Sequence, residues 1–187
     1  MEKKYILAIN PGSTSTKVSV FIGAVEFKTK KLDHLTADLE GFESVASQYD
    51  YRLNIIMNWL KEEEIRIEEL EAVVGRGGLL RPMPSGTYIV SDFMIGDLKI
   101  GIQGQHASNL GGQLAKGIAD LTGIPSFIVD PVAVDEFEDV ARISGLKDIP
   151  RTSLVHALNI KAVCHRYSNE KNIAVGDLNI IVAHMGG

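Results

Sequence analysis

The stretch Tyr5-Ile6-Leu7-Ala8-Ile9-Asn10-Pro11-Gly12-Ser13-Thr14-Ser15-Thr16-Lys17-Val18-Ser19-Val20-Phe21-Ile22 decides how this chain is read. An apolar run before Asn10 and an alternating run after Lys17 flank a turn punctuated by Pro11-Gly12, which is the pattern of strand, turn, strand. Hydroxyls, a carboxamide, an ammonium and free backbone N–H groups crowd that turn. Such a concavity of donors suits an oxyanion, phosphate above all. The turn has neither the G-x-x-x-x-G-K-[ST] spacing of the common nucleotide loop nor G-x-G-x-x-G. The alternative is an ordinary polar hairpin with Lys17 in solvent, because Gly, Pro and Ser dominate turns of every kind.

Outward from this hairpin, residues 25–32 read as a third strand. Val45, Tyr49, Leu53, Ile56, Met57 and Leu60 recur at helical spacing, predicting one or two helices between Phe42 and Ile65. A short buried strand, Leu70 to Val74, runs into Gly75-Arg76-Gly77-Gly78 and a Pro/Gly-rich loop ending at Gly86. Ser91 is placed to cap a helix through Lys99. A second helix spans about Ala107 to Thr122, with Gly123 to end it, and Ile124 to Val129 is another buried strand closing at Asp130-Pro131. Thr152 is placed to cap a helix to about Tyr167, and Leu178 to Ala183 is apolar enough for a last, central strand. Strands separated by helices imply an α/β fold with a mixed sheet. A central strand needs neighbours on both edges and helices on both faces, so a chain stopping at Gly187 reads as cut within a domain.

The chain has 187 residues, 45% hydrophobic and 23% charged, with a net charge of −5. These are globular values with no basic footprint for nucleic acid. Cys164 is the sole cysteine, which fits a reducing cytoplasm. The first apolar run breaks at Asn10-Pro11, short of a signal peptide's core, and no stretch approaches the roughly 20 apolar residues of a membrane span. The runs Glu62-Glu63-Glu64 and Glu68-Glu69 read as solvated helix faces.

Polar clusters fall at the ends of expected strands: Asn10 to Lys17, Arg76-Gly77-Gly78, Asp130-Pro131 and His184-Met185-Gly186-Gly187. Ligands in open α/β sheets collect outside strand ends. Asn10-Pro-Gly-Ser-Thr-Ser-Thr-Lys17, Gly75-Arg-Gly-Gly78, His106-Ala-Ser-Asn109, Val129-Asp-Pro-Val132, His156-Ala-Leu-Asn159 and Ala183-His-Met-Gly-Gly187 follow one another in this order. In these motifs the chain resembles the acetate/butyrate kinase family, its butyrate branch most of all. The resemblance covers essentially the whole chain, whereas family members are about twice as long.

The resemblance implies a ribonuclease H-like, actin-like ATPase domain over 1–147 and the beginning of a second such domain over 148–187. It implies a cytoplasmic kinase, dimeric at full length, that takes ATP, Mg²⁺ and a small carboxylic acid and binds neither nucleic acid nor membrane. Its reaction would be the reversible phosphorylation of butyrate, or a branched analogue, to the acyl phosphate, with this N-terminal half inactive alone. Acetate or propionate kinase, and a non-catalytic phosphate- or nucleotide-binding module, stand as alternatives.

By the same resemblance Arg76 would hold the carboxylate or the phosphoryl oxygens in a bidentate fork, its flanking glycines letting the acyl group come close to the backbone. Asp130 would act near Mg²⁺, with Asn10 positioning the hydrated metal. His184 would donate a hydrogen bond to the transferring phosphoryl group. Gly12, Ser13, Ser15 and Lys17 would contact phosphate, and Gly186 and Gly187 would begin a second phosphate turn. Lys17 has an equal alternative as a strand residue pointing outward. His106 and Asn109 would bind substrate at a helix N-terminus, against a capping or packing role for Asn109. The apolar neighbours of His156 read it as a core residue, and Cys164 as a small buried hydrophobe.

Overall fold

A computed structural model describes residues 4–185. The opening hairpin is there as read: β1 (Tyr5–Pro11) pairs antiparallel with β2 (Ser15–Ile22), and β2 with β3 (Val25–Asp33). After a one-turn helix α1 (Thr36–Leu39) comes α2 (Tyr49–Glu62), then β4 (Leu70–Arg76), the short strand β5 (Thr87–Ile89), α3 (Asp92–Ile100), α4 (Asn109–Asp120), β6 (Ser126–Val129) and α5 (Ala157–Lys171). One sheet in the order β3-β2-β1-β4-β6-β5 joins all the strands. Its centre, β1-β4-β6, is parallel, and the outer pairings are antiparallel.

Alternation along the strands divides the sheet into two faces. Tyr5, Leu7 and Ile9 of β1, Val18 and Val20 of β2 and Val73 of β4 are buried with Ile56, Trp59 and Leu60 of α2 and Leu110, Leu114 and Ile118 of α4. Each such side chain contributes about 1.5–3 kcal/mol on leaving water. The intervening residues Ala8, Asn10, Lys17, Ser19, Val74 and Arg76 line a cavity on the other face. Period-two geometry therefore sends each strand's core and cavity residues to opposite sides.

The glycines beside Arg76 are required by packing. A Cβ on Gly75 would lie 2.1 Å from the Gly111 carbonyl oxygen, and one on Gly111 would lie 2.1 Å from that of Arg76. A Cβ on Gly77 would lie 2.4 Å from Pro131 Cβ. The absent side chains let α4 settle directly on β4.

Several elements depart from expectation. The first long helix starts at Tyr49, not near Phe42, because Ser44 and Ser47 exchange backbone-to-hydroxyl bonds that shape a tight turn first. Ser91 does cap α3, accepting from the Met94 amide at 3.2 Å. Thr152 caps nothing: Ser153 Oγ donates to Val134 O at 2.7 Å and Val155 N donates to Val132 O at 3.1 Å. These bonds hold 153–155 along 132–134 and delay the helix to Ala157. The strand expected over Leu178 to Ala183 does not form, and Ile181 is 99% exposed, because no strand among the described residues pairs with that segment. Strand β5 escapes sequence reading because three residues after a Pro/Gly loop are too few to show alternation.

Candidate functional site

The parallel strands β1, β4 and β6 end at one edge of the sheet, with Ile9 beside Gly75 and Arg76 beside Val129. Lys17, the third residue of β2, pairs with Asn10. There the cavity, of about 590 Å³, brings together Asn10, Lys17, Arg76, Asp130 and His184. Its remaining wall is largely apolar and includes Val74, Val132, Leu158 and Ala162.

Arg76 is half-buried, and its Nη1 donates to Asn10 Oδ1 at 3.3 Å, a bond between residues far apart in sequence. The remaining guanidinium N–H groups, in their fixed planar fork, donate to no acceptor among the described residues. Asp130 has φ +38, a conformation rare outside glycine. Two bonds hold it there: its N–H donates to Gly86 O at 2.9 Å, and its Oδ1 accepts from Gly86 N at 2.8 Å. Lys161 Nζ stands 3.4 Å from the same oxygen. Oδ2 has no hydrogen-bond partner among the described residues.

Sequence reading missed part of the site. His156 is exposed at the start of α5 and faces the cavity, not the core. Its Nδ1 lies 3.0 Å from His184 Nε2, and His184 Nδ1 lies 3.1 Å from Asn159 Oδ1. A carboxamide oxygen only accepts, so His184 donates through Nδ1, and a single proton sits between the two rings. Desolvation, then the nearby charges of Arg76, His184 and His106, lower the His156 pKa and favour its neutral form. The signal was present in the sequence: His156 and Asn159 begin and end one of the motifs that carry the family resemblance.

Other expected site residues lie elsewhere. Gly12, Ser13 and Ser15 sit on the hairpin turn, beyond the Asn10–Lys17 pair that lines the cavity. His106 is exposed outside the lining, its Nδ1 2.8 Å from Ser108 Oγ. Asn109 is only 1% exposed: its Oδ1 accepts from Leu79 N at 2.9 Å and its Nδ2 donates to Gly104 O at 2.9 Å. That carboxamide clamps two loops together, which corrects its reading as a substrate ligand. Gly186 and Gly187 lie outside the described residues. Cys164 is half-buried.

No cluster of three His, Cys, Asp or Glu side chains able to hold a metal occurs among the described residues. No described helix is long and apolar enough to cross a membrane.

Comparison with known proteins gives this geometry a context. The chain is 53% identical over 182 residues to a probable butyrate kinase 2 of Caldanaerobacter subterraneus, and 52% identical to butyrate kinase 1 of Clostridium acetobutylicum. Each match takes in 97% of this chain and 51% of the relative. The chain is similar to the N-terminal half of these butyrate kinases. It thus spans about half the length of the curated relatives it matches.

Among solved structures, the acetate kinase of Porphyromonas gingivalis superposes with a TM-score of 0.63 at 16% identity, covering 92% of this chain and 50% of that one. A propionate kinase from Francisella tularensis gives 0.61 at 14% identity, covering 91% of this chain and 50% of its own. At such identities the likeness is one of fold, the actin-like ATPase fold. No protein-family model matches the chain.

Proposed function

We propose that this chain is the N-terminal half of a short-chain fatty acid kinase that moves the γ-phosphoryl group of ATP reversibly to butyrate or a branched analogue. The observation that carries the reading is the pairing, in one cavity, of the Arg76 fork with an apolar wall that includes Val74, Val132, Leu158 and Ala162. A carboxylate with a short alkyl tail needs both. The fork neutralises and orients the carboxylate, and the wall takes up methylenes at about 0.8 kcal/mol each.

A carboxylate is already a nucleophile, so the work is to hold two anions in line and to neutralise charge on the moving phosphoryl group. Arg76 fixes one carboxylate oxygen and keeps donors for the phosphoryl group. Asn10 holds the guanidinium plane through its Oδ1. His184 lines the same cavity, held at both ring nitrogens by Asn159 and His156, and release of its Nδ1–H from Asn159 would let it donate to the developing charge. Mg²⁺ characteristically takes one or two carboxylates and keeps water and phosphate as its other ligands. The free Oδ2 of Asp130 suits that habit. When bound, the ion would supply charge neutralisation at the phosphate oxygens.

The domain reading follows from the same proposal: 1–147 forms the first actin-like domain, and 148–187 begins the second. Closure by that second domain completes the nucleotide site, in a cytoplasmic enzyme that is dimeric at full length.

The test is acyl phosphate formation from ATP, Mg²⁺ and a ladder of C2 to C5 acids, trapped with hydroxylamine. The full-length protein should give most hydroxamate with C4 acids, and the 187-residue chain alone none. Arg76→Ala should lower kcat/KM by about 10²–10³-fold. No hydroxamate from the full-length protein with any acid, or activity of Arg76→Ala within tenfold of wild type, refutes the proposal.

A further inference from the structure

Arg52 on α2 is 1% exposed and forms no ion pair with any carboxylate among the described residues. Its guanidinium is spent on the hairpin turn. Nη1 donates to Gly12 O at 2.8 Å, to Ser15 O at 3.3 Å and to Thr16 Oγ1 at 3.1 Å, while Nη2 donates to Ser13 O at 3.1 Å. Gln48 Oε1 aims the group by accepting from Nε at 3.1 Å and from Nη2 at 2.8 Å. The remaining carbonyl, Thr14 O, accepts from His34 N at 2.9 Å. Every carbonyl from Gly12 to Ser15 is thus drawn toward the interior. The amides of Ser13 and Thr14 donate to no acceptor among the described residues, and both residues are exposed.

Burying an arginine without a counter-ion is costly, and carbonyl dipoles alone only partly compensate. A leucine or methionine would pack α2 against the sheet at less expense. What the arginine adds is a fixed positive charge behind a turn whose free amides face outward. Peptide nests of this kind bind anions, and a charge held in low dielectric is screened little by salt.

We propose that Arg52 is the positioning residue of the phosphate turn that the family resemblance implies: it turns the carbonyls of residues 12–15 inward, leaves the Ser13 and Thr14 amides free for the anion and charges the turn from behind. The ligand is a phosphate group. The kinase reading, on which the proposal rests for the ligand's source, makes that group a phosphate of ATP. Arg52 touches neither substrate nor the cavity and acts through the turn.

The test uses ¹⁵N-labelled full-length protein titrated with inorganic phosphate and, separately, steady-state kinetics with ATP and butyrate. In wild type, phosphate should shift the Ser13 and Thr14 amide resonances. Arg52→Lys keeps the charge but not the fork, and should weaken that response at least tenfold. In kinetics it should raise KM for ATP at least tenfold while leaving KM for butyrate within twofold, a split that general loosening of the fold would not give. Should Arg52→Lys fail to fold, Gln48→Met, which removes only the acceptor aiming the guanidinium, should weaken phosphate binding several-fold. Wild-type amides indifferent to phosphate, or a folded Arg52→Lys or Gln48→Met variant binding as wild type does, overturns the proposal. Arg52-dependent phosphate binding without any hydroxamate would uphold the clamp and sink the kinase reading instead.

Discussion

His34 makes the protein's stability depend on pH in a way that can be worked out in advance. It is buried under the hairpin with its Nε2 2.8 Å from Thr16 Oγ1. That hydroxyl also accepts from Arg52, and the other ring nitrogen of His34, Nδ1, meets no partner. Burial, reinforced by the Arg52 charge, pushes the pKa from 6.5 down to about 4. The unfolded chain therefore takes up a proton before the folded one does. Stability is complete above pH 6.5, falls as pH drops toward 4 and levels off below it. The whole span is worth about 3 kcal/mol at about 1.36 kcal/mol per pH unit, and about 2 kcal/mol of it is gone by pH 5. For a chain of this size that lowers Tm by about 4–8 °C.

The assay is thermal unfolding of wild type and His34→Gln between pH 8 and pH 5. Glutamine can still hydrogen-bond to Thr16 but does not titrate. Asp97 and Asp135, whose carboxyls Arg81 and Arg142 hold below the usual range, lose their contribution at lower pH in both proteins and cancel in the difference. Parallel Tm curves for the two proteins, or a His34 imidazole that titrates near 6.5, would refute the reasoning.

Two further outcomes follow from the packing. Gly111→Ala should destabilise the protein by about 1–3 kcal/mol in urea unfolding despite alanine's better helix propensity, because its Cβ must push α4 off the Arg76 carbonyl; an unchanged or raised midpoint contradicts the close approach. Asp130→Asn retains the Oδ1 that accepts from Gly86 and loses only the attraction to Lys161, so stability should change by less than about 1 kcal/mol. Hydroxamate formation by the full-length variant should nonetheless fall about 10²-fold; activity near wild type would leave Asp130 a loop anchor only.

The parts of this fold legible in the sequence are those set by local pattern. Alternation around the Pro11-Gly12 turn fixed the first hairpin, and Ser91 marked its helix start. What escaped depends on contacts distant in sequence. Residues 153–155 lie extended because Val132 and Val134 offer bonds there, which no propensity at Thr152 encodes. Asn109 looked like a ligand because its helix-start position suits anions, but the arrival of Leu79 and Gly104 made it a clamp. Arg52 did leave a trace: it falls on the same helix face as Tyr49 and Ile56, a cation inside an apolar stripe. Such an interruption points to backbone acceptors facing it, and the residues that supply them are the polar ones of the opening turn.

The two-faced strands also bear on how such a protein can change. Along β1, Leu7 and Ile9 answer to the helices, while Ala8 and Asn10 answer to the cavity. Adjacent codons thus serve different faces of the sheet, one set the helix-packed core and the next the cavity. A lineage could reshape the cavity wall at Ala8 or Val74 without touching the helix-facing side chains of the same strands. A complete substitution scan of β1 and β4 would display this separation as two interleaved tolerance profiles, one tracking protein abundance and the other turnover.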